Sequence, residues 1–260
     1  MAAAESCAMR GGILALSGPP GSGKTQMAFN LAQALRRPDR RIEVLGLDDF
    51  YIPEHGRCRD PMANHELFRT RGVPGTHQLE RLIACMDSMR QGERTMVPRF
   101  DKLRDRPLPA RQWRPGRPVQ LFILEGWCLG ATPFSEAELA EPVNDLEAKQ
   151  DPDGTWRQQV NAKLLYYSRR LWPMFTDLWY FRPPDWETVI DWRYEQEQAL
   201  PGEGPRKNKE EIEQFLQHFE RIALAMYKNP PAGSLIVDLN DAHDVQDIRR
   251  QESTADTGSG

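Results

Sequence analysis

The sequence predicts an α/β fold in which strands and helices alternate, and three observations carry that prediction. Five short apolar runs, at residues 13–17, 42–47, 119–124, 176–181 and 235–239, have the length of buried strands. Segments with apolar residues three and four apart lie between them, the spacing of a helix that buries one face. The first run leads straight into a glycine-rich loop and then a helical pattern, an order suited to sheets that bind ligands at their strand ends.

Residues 13–17 (ILALS) are followed by Gly18, Pro19, Pro20, Gly21, Ser22, Gly23, Lys24 and Thr25, which satisfy G-x-x-x-x-G-K-[ST] in full. Met27, Ala28, Leu31, Ala32 and Leu35 then recur at helical spacing. Glycines let consecutive backbone N–H groups turn inward around phosphate oxygens, and the helix N-terminus adds a favourable field. In such a cradle Lys24 bridges the β- and γ-phosphates of ATP, Thr25 sets its hydroxyl on Mg2+, and Gln26 closes the nucleotide-binding run. The bland alternative, a glycine-rich turn with Lys24 in solvent, fits the flanking strand and helix poorly.

The second run ends in Asp48, Asp49, Phe50 and Tyr51. Carboxylates at the carboxyl end of a parallel strand sit where open α/β sheets bind ligands. One can accept a proton from a substrate hydroxyl and another can hold a metal-bound water; either can instead cap the turn. Residues 119–124 (VQLFIL) end in Glu125 and Gly126. An acid there engages Mg2+ or its hydration shell, or else caps the next turn.

Between these strands, residues 77–90 carry Leu79, Leu82, Ile83 and Met86 at helical intervals, with Thr76 available as N-cap. The remainder is rich in proline, glycine and arginine. Arg57, Arg59, Arg69 and Arg71 precede the helix, and eight basic residues from Arg94 to Arg117 follow it. Guanidinium groups bind carboxylate and phosphate through paired donors, so this density suggests an anionic ligand, although a solvated face accounts for most single members. Pro74, Gly75, Thr76 and His77 read as a substrate loop feeding a helix.

Residues 136–154 are acidic and broken by Pro142, Pro152 and Gly154, which predicts an irregular or partly helical excursion. Helical patterns follow at 156–171, with Thr155 as cap, and at 186–200, where the segment 201–205 (PGEGP) stops the helix. Arg193 on that second helix can close over a transferring phosphate, or simply pair with Glu195 or Glu197. Asn208 and Glu211 have capping-box spacing ahead of a helix whose Ile212, Phe215, Leu216, Phe219, Ile222 and Met226 form one apolar face, read as core. Asp241, His243 and Asp244 lie in a loop beyond the last strand.

Composition narrows the function classes. The chain has 260 residues, 39% of them apolar, enough for one sizeable core. A net charge of -4, with no basic and aromatic repeat, argues against a dedicated nucleic-acid binder. No apolar run approaches the roughly 20 residues that cross a bilayer, so no membrane partner is expected. Cys7, Cys58, Cys85 and Cys128 are too far apart for a zinc site, and a reducing, cytoplasmic setting is the simplest reading. His55, His77 and His243 stand apart, outside any metal-ligand motif.

At this point the motifs resemble a known family. GPPGSGKT (18–25), LDDFY (47–51), RGVPGTH (71–77), PRFDK (98–102) and EGWCLG (125–130) occur in the order seen in D-glycerate 3-kinases, and WRYEQE (192–197) adds a later match. The resemblance spans about 13–248 and extends to the phosphoribulokinase, uridine kinase and pantothenate kinase group. It implies a single P-loop NTPase domain over 11–250, with three α/β/α layers and a mainly parallel five-stranded sheet. Substrate and lid loops are inserted at about 51–75, 94–118 and 131–154, and 251–260 reads as a disordered tail. The implied activity is Mg2+-dependent transfer of the γ-phosphoryl of ATP to an alcohol, D-glycerate giving 3-phosphoglycerate.

By the same resemblance Asp48 stands at the general base, with Asp49 beside it on the substrate side, and Glu125 assists Mg2+ or the acceptor. Thr25, Asp48 and Glu125 form the metal set. Lys24, Lys102 and Arg193 contact phosphate or act as a lid, and the region after Asp238 helps hold the adenine. His77, Tyr51 and Trp127 lie near the acceptor, whose carboxylate is gripped by loop arginines, Arg71 and Arg99. Departures are Gln78 where the family has Asp, the altered stretch 204–208, and a phosphate loop beginning at Gly18 with no helical extension before it. Two other readings stay open: a kinase of this fold for another small alcohol such as a nucleoside or sugar, and a nucleotide-hydrolysing switch without an acceptor.

Overall fold

The computed structural model describes residues 2–199 and 206–252. Its central sheet contains β1 (Gly12–Ser17), β2 (Ile42–Gly46), β3 (Leu121–Gly126), β4 (Asp177–Arg182), β5 (Leu235–Leu239) and β6 (Val245–Arg250). The spatial order is β6-β5-β4-β1-β3-β2; the first five strands in sequence run parallel and β6 is antiparallel to β5. All five expected strands are present, within two residues of their expected bounds.

Both faces of the sheet are buried, as a parallel sheet requires. Alternation along β1 sends Ile13 and Ala15 into one core, with Phe122 and Leu124 of β3, and sends Leu14 and Leu16 into the other, with Leu121 and Ile123. Helices α1 (Ala2–Arg10) and α2 (Lys24–Ala34) contribute to the second core. Helices α3 (Leu79–Arg90), α4 (Thr155–Arg170) and α6 (Lys209–Lys228) contribute to the first. Helix α5 (Trp186–Gln198) reaches both, Val189 into one and Trp192 into the other. The result is three layers with a mixed-polarity edge.

That edge is the main departure from the expected five strands. β6 is polar and almost wholly exposed, so it lacks the apolar signature of an interior strand. Its partner is β5, reached through the turn at Asn240, Asp241, Ala242, His243 and Asp244. Gln251, read as the start of the tail, still donates its backbone N–H to Ser234 O at 2.8 Å. Residues 253–260 of that segment, and the helix stop at 201–205, lie outside the described residues.

Other elements differ in detail. A nine-residue helix, α1, precedes β1 where no extension was expected, burying Ala4, Cys7 and Ala8. Thr76 does not cap α3; Gln78 stands at the N-cap and the Thr76 hydroxyl donates to Val73 O within its own turn. Thr155 does not cap α4; Asp153 accepts its first N–H group, from Thr155, and Asp151 the next two, from Trp156 and Arg157. The Asn208–Glu211 capping box of α6 is present in both directions. Residues 136–154 hold two short helices, Glu136–Leu139 and Asp145–Gln150, and the arginine-rich insertion is folded into two small antiparallel ribbons. One pairs Thr95–Val97 with Arg114–Gly116, the other Phe100–Asp101 with Arg106–Pro107. No helix among the described residues is long and apolar enough to cross a membrane.

Candidate active site

Strand register brings the motifs together. Ser17 pairs with Gly126, and Glu125 pairs with both Leu16 and Gly46, so β1, β2 and β3 end side by side. The phosphate loop leaves β1 there, Asp48 leaves β2, and Glu125 ends β3. Between them lies a cleft of about 190 Å³, whose lining includes Gly21, Lys24, Thr25, Asp48, Tyr51, Arg71, Lys102, Glu125, Trp127 and Arg193.

The loop is closely built. Gly18, Gly21 and Gly23 have φ of 149°, 85° and 75°, a region that L side chains rarely adopt. A Cβ on Gly21 would lie 2.7 Å from Trp192 Cβ, and one on Gly18 would lie 2.7 Å from Phe181 O. The Ser22 hydroxyl donates to Pro19 O at 2.9 Å, and Lys24 Nζ donates to the same carbonyl at 2.7 Å. Burial lowers the Lys24 ammonium to about 8, against the opposing pull of Glu125 and Asp48. Thr25 donates its hydroxyl to Glu125 Oε1 at 3.0 Å, while Gln26 turns away to Asn30.

Asp48 accepts two side-chain hydrogen bonds within the cleft. Its Oδ2 accepts from Lys102 Nζ at 2.5 Å and its Oδ1 accepts from the Tyr51 hydroxyl at 2.8 Å. Burial alone would raise this carboxyl, but the Lys102 ammonium and the contact with His77 outweigh it and hold it well below the usual range. Glu125 is pushed up by burial and by the Asp48 charge. Asp49 does not line the cleft. It faces Gly46, accepts from Phe100 N at 3.4 Å, and is raised by burial to about 6.

Two further residues expected at the acceptor, His77 and Arg99, are not among those lining the cleft. His77 is fully enclosed beneath the cleft, stacked on Tyr51 with ring centroids 4.5 Å apart, its Nδ1 3.1 Å from the Tyr167 hydroxyl. Its Nε2 lies 3.9 Å from Asp48 Oδ1 and has no hydrogen-bond partner among the described residues. Arg99 is exposed between the two ribbons and outside the cleft. Gln78 also faces away from the cleft, donating to Tyr51 O at 3.1 Å, so the substitution lies behind Tyr51 rather than at a ligand surface. Arg71 does line the cleft, held at 2.8 Å by Asp105 and by Lys102 O. Trp127 lines it too, edge-on to Phe219, its indole N–H on Gly72 O at 2.7 Å.

Of the two readings offered for Arg193, the pairing with an acid of its own helix is present. Arg193 faces the cleft beside Gly21 and pairs with the buried Glu197 at 2.7 Å. The region after Asp238 touches the outer side of the phosphate loop. His243 Nε2 lies 2.8 Å from Gly21 O, its ring stacks on Trp192 at 4.1 Å, and the Trp192 indole donates to Asp241 O. Sequence reasoning missed Leu103, Gln196, Glu197, Lys207, Phe215 and Phe219 as cleft residues. Phe215 and Phe219 belong to the apolar stripe of α6, where a lining residue and a core residue carry the same periodic signal.

No family model matches the chain. It is 29% identical over 223 residues to the probable ATP-dependent kinase TDA10 of Saccharomyces cerevisiae, covering 78% of this chain and 73% of that protein. It is 25% identical over 240 residues to the chloroplastic D-glycerate 3-kinase of Arabidopsis thaliana, covering 85% of this chain and half of the plant protein. The structure of a D-glycerate 3-kinase from Cryptococcus neoformans superposes with a TM-score of 0.73 at 19% identity, covering 96% of each chain, and so shares the fold. With an intact phosphate loop facing the acids of β2 and β3, and with kinases as its sequence relatives, the chain is a member of the P-loop NTPase kinase superfamily.

Proposed function

We propose that the protein transfers the γ-phosphoryl group of ATP to the hydroxyl of a small carboxylated alcohol, D-glycerate being the leading candidate. The observation that carries this reading is the convergence of Lys24, Thr25, Asp48, Glu125 and Arg71 on one cleft. The D-glycerate 3-kinase named among its sequence relatives supports the choice of acceptor.

The donor set suits magnesium-bound triphosphate. The positive-φ glycines form a backbone cradle that side chains would fill, and the Thr25 hydroxyl, Glu125 and Asp48 offer the hard oxygens that Mg2+ takes. When bound, MgATP supplies the phosphoryl group and neutralises the charge that develops on it. Lys24 leaves Pro19 O to reach phosphate oxygens. Thr25 and Glu125 hold the metal's ligand shell.

Asp48, held ionised by Lys102, accepts the acceptor hydroxyl's hydrogen bond and takes its proton late in transfer. A strongly raised pKa is unnecessary because the transition state is loose. Arg71 grips the acceptor carboxylate, and Arg193 adds charge on the phosphate side. Lys102 and Leu103, at the tip of the 100–107 ribbon, shield the reacting atoms from water.

The test is an acceptor panel containing D-glycerate, uridine, pantothenate and simple sugars, read by ADP release and by mass spectrometry of the product. Mg2+-dependent ADP release with D-glycerate and a product heavier by one phosphoryl group is expected. Turnover of another panel member alone reassigns the acceptor. ADP release indifferent to every acceptor overturns the kinase reading in favour of a hydrolysing switch.

A further inference from the structure

The 100–107 ribbon is only two residue pairs long, Phe100 with Pro107 and Asp101 with Arg106. So short a ribbon is not stable by itself and needs an anchor. Asp105, in its turn, has φ of 48°, and its carboxylate is met by two guanidinium groups from the 51–75 insertion. Arg57, whose side chain is fully buried, donates to both Asp105 oxygens at 2.8 and 2.9 Å. Arg71 donates to Asp105 Oδ1 at 2.8 Å and, with its other terminal nitrogen, to Lys102 O at 2.8 Å. Arg57 is itself fixed by Ile52 O and Arg69 O, so the anchor is tied to the chain that follows Tyr51. A chain of fixed contacts thus runs from the 51–75 insertion through Asp105 to the backbone of Lys102, whose ammonium ends on Asp48.

We propose that Asp105 is a positioning residue, locked by Arg57 and Arg71, which holds the ribbon so that Lys102 reaches Asp48. The inference deepens the kinase reading by naming what sets its base, yet the contact itself can be tested without turnover. Asp48 is faced by Lys102, Tyr51 and His77, and feels the charges of Lys24, Glu125 and Asp49. Of the cations among them, only Lys102 arrives on the ribbon. Releasing the ribbon therefore removes one counter-charge and leaves the rest in place. Asp105 does not itself line the cleft; it reaches Asp48 through Lys102, and it also holds Arg71, which does line the cleft.

The experiment uses the whole chain and the variants Asp105→Ala, Asp105→Asn and Lys102→Met. Two readouts are taken: the carboxyl titration of Asp48 by carbon NMR, and the rate at which an amine-acylating reagent modifies Lys102, followed by mass spectrometry with Lys149 as internal reference. Loss of Asp105 is expected to shift the Asp48 midpoint upward, as Lys102→Met does, and to speed Lys102 acylation several-fold relative to Lys149. Asp105→Asn keeps the size of the side chain, so it reports if the alanine variant folds poorly. An unchanged Asp48 midpoint and acylation rate in a folded Asp105 variant overturns the proposal. Because neither readout needs an acceptor, failure of the kinase reading would show separately in the panel above.

Discussion

The Thr25 hydroxyl donates to Glu125 Oε1 at 3.0 Å, joining the last residue of the phosphate-loop motif to the acid that ends β3. Thr25 opens α2 just after β1 and Glu125 lies on β3, the parallel neighbour of β1, so both line the cleft, where they would hold Mg2+. Thr25→Ala and Glu125→Gln should each raise the Mg2+ concentration needed for half-maximal ATP binding, with little change in the melting curve. Titration calorimetry with and without Mg2+ checks this.

Lys24 is buried and lowered to about 8, so its charge is marginal just where phosphate binding needs it. ATP affinity should fall as pH rises above about 8, because the neutral amine must then be protonated on binding. Lys24→Ala should weaken ATP binding by about 10- to 100-fold at neutral pH, the loss expected for a hydrogen bond to a charged group. Lys24→Arg should flatten the alkaline decline even if affinity drops. Fluorescent nucleotide titrations across pH would measure both.

Replacing Asp48 with Asn keeps the shape of the side chain and removes the base. The expected outcome is a fall in kcat of about 100- to 10,000-fold with the ATP dissociation constant changed little. Near-normal turnover would remove Asp48 from that role. Lys102 holds the Asp48 carboxyl below its usual range, so the acid limb of the wild-type pH profile should lie low. In Lys102→Met that limb should move to higher pH.

Asp49 gives a stability prediction of known sign. Its carboxyl is raised by burial from 3.8 to about 6, so the folded state binds an extra proton between those values. Stability contributed through this group falls as pH rises across that interval and stays lower above it. Asp49→Asn should therefore stabilise the fold by about 1–2 kcal/mol at pH near 7 and change it little below about pH 4. Thermal melts at the two pH values provide the comparison.

Gly21 is a cradle glycine with little freedom to change. Its φ is 85° and an added Cβ would lie 2.7 Å from Trp192. Gly21→Ala should cost about 1–3 kcal/mol in stability and loosen ATP binding, since the cradle must shift to admit the methyl group. Denaturant unfolding and nucleotide titration together separate the two effects.

The motif-bearing half of the site was legible because phosphate chemistry needs specific residues at fixed spacing. Gly18 to Thr25, Asp48 and Glu125 stand where the strand–loop–helix order put them, and the capping box at Asn208 declared the start of α6. The fold's five parallel strands were equally plain, each being a short apolar run. β6 was not, because an exposed edge strand needs no apolar face, and α1 hides in a run of small residues. Arg71 and Arg99 looked alike in sequence; only the anchoring by Asp105 separates the arginine that enters the cleft from the one left in solvent. His77 carried a ligand-like signal yet lies under Tyr51, since a buried histidine and a substrate contact share one letter.

The contact between His243 and Gly21 ties the far end of the chain to its beginning. Trimming of the turn after β5 together with β6, whether by a premature stop codon or a protease, would leave the five parallel strands whole. It would strip the outer brace from the phosphate cradle. Carboxy-terminal damage would then be felt first as poor nucleotide retention in a molecule that still looks native by circular dichroism.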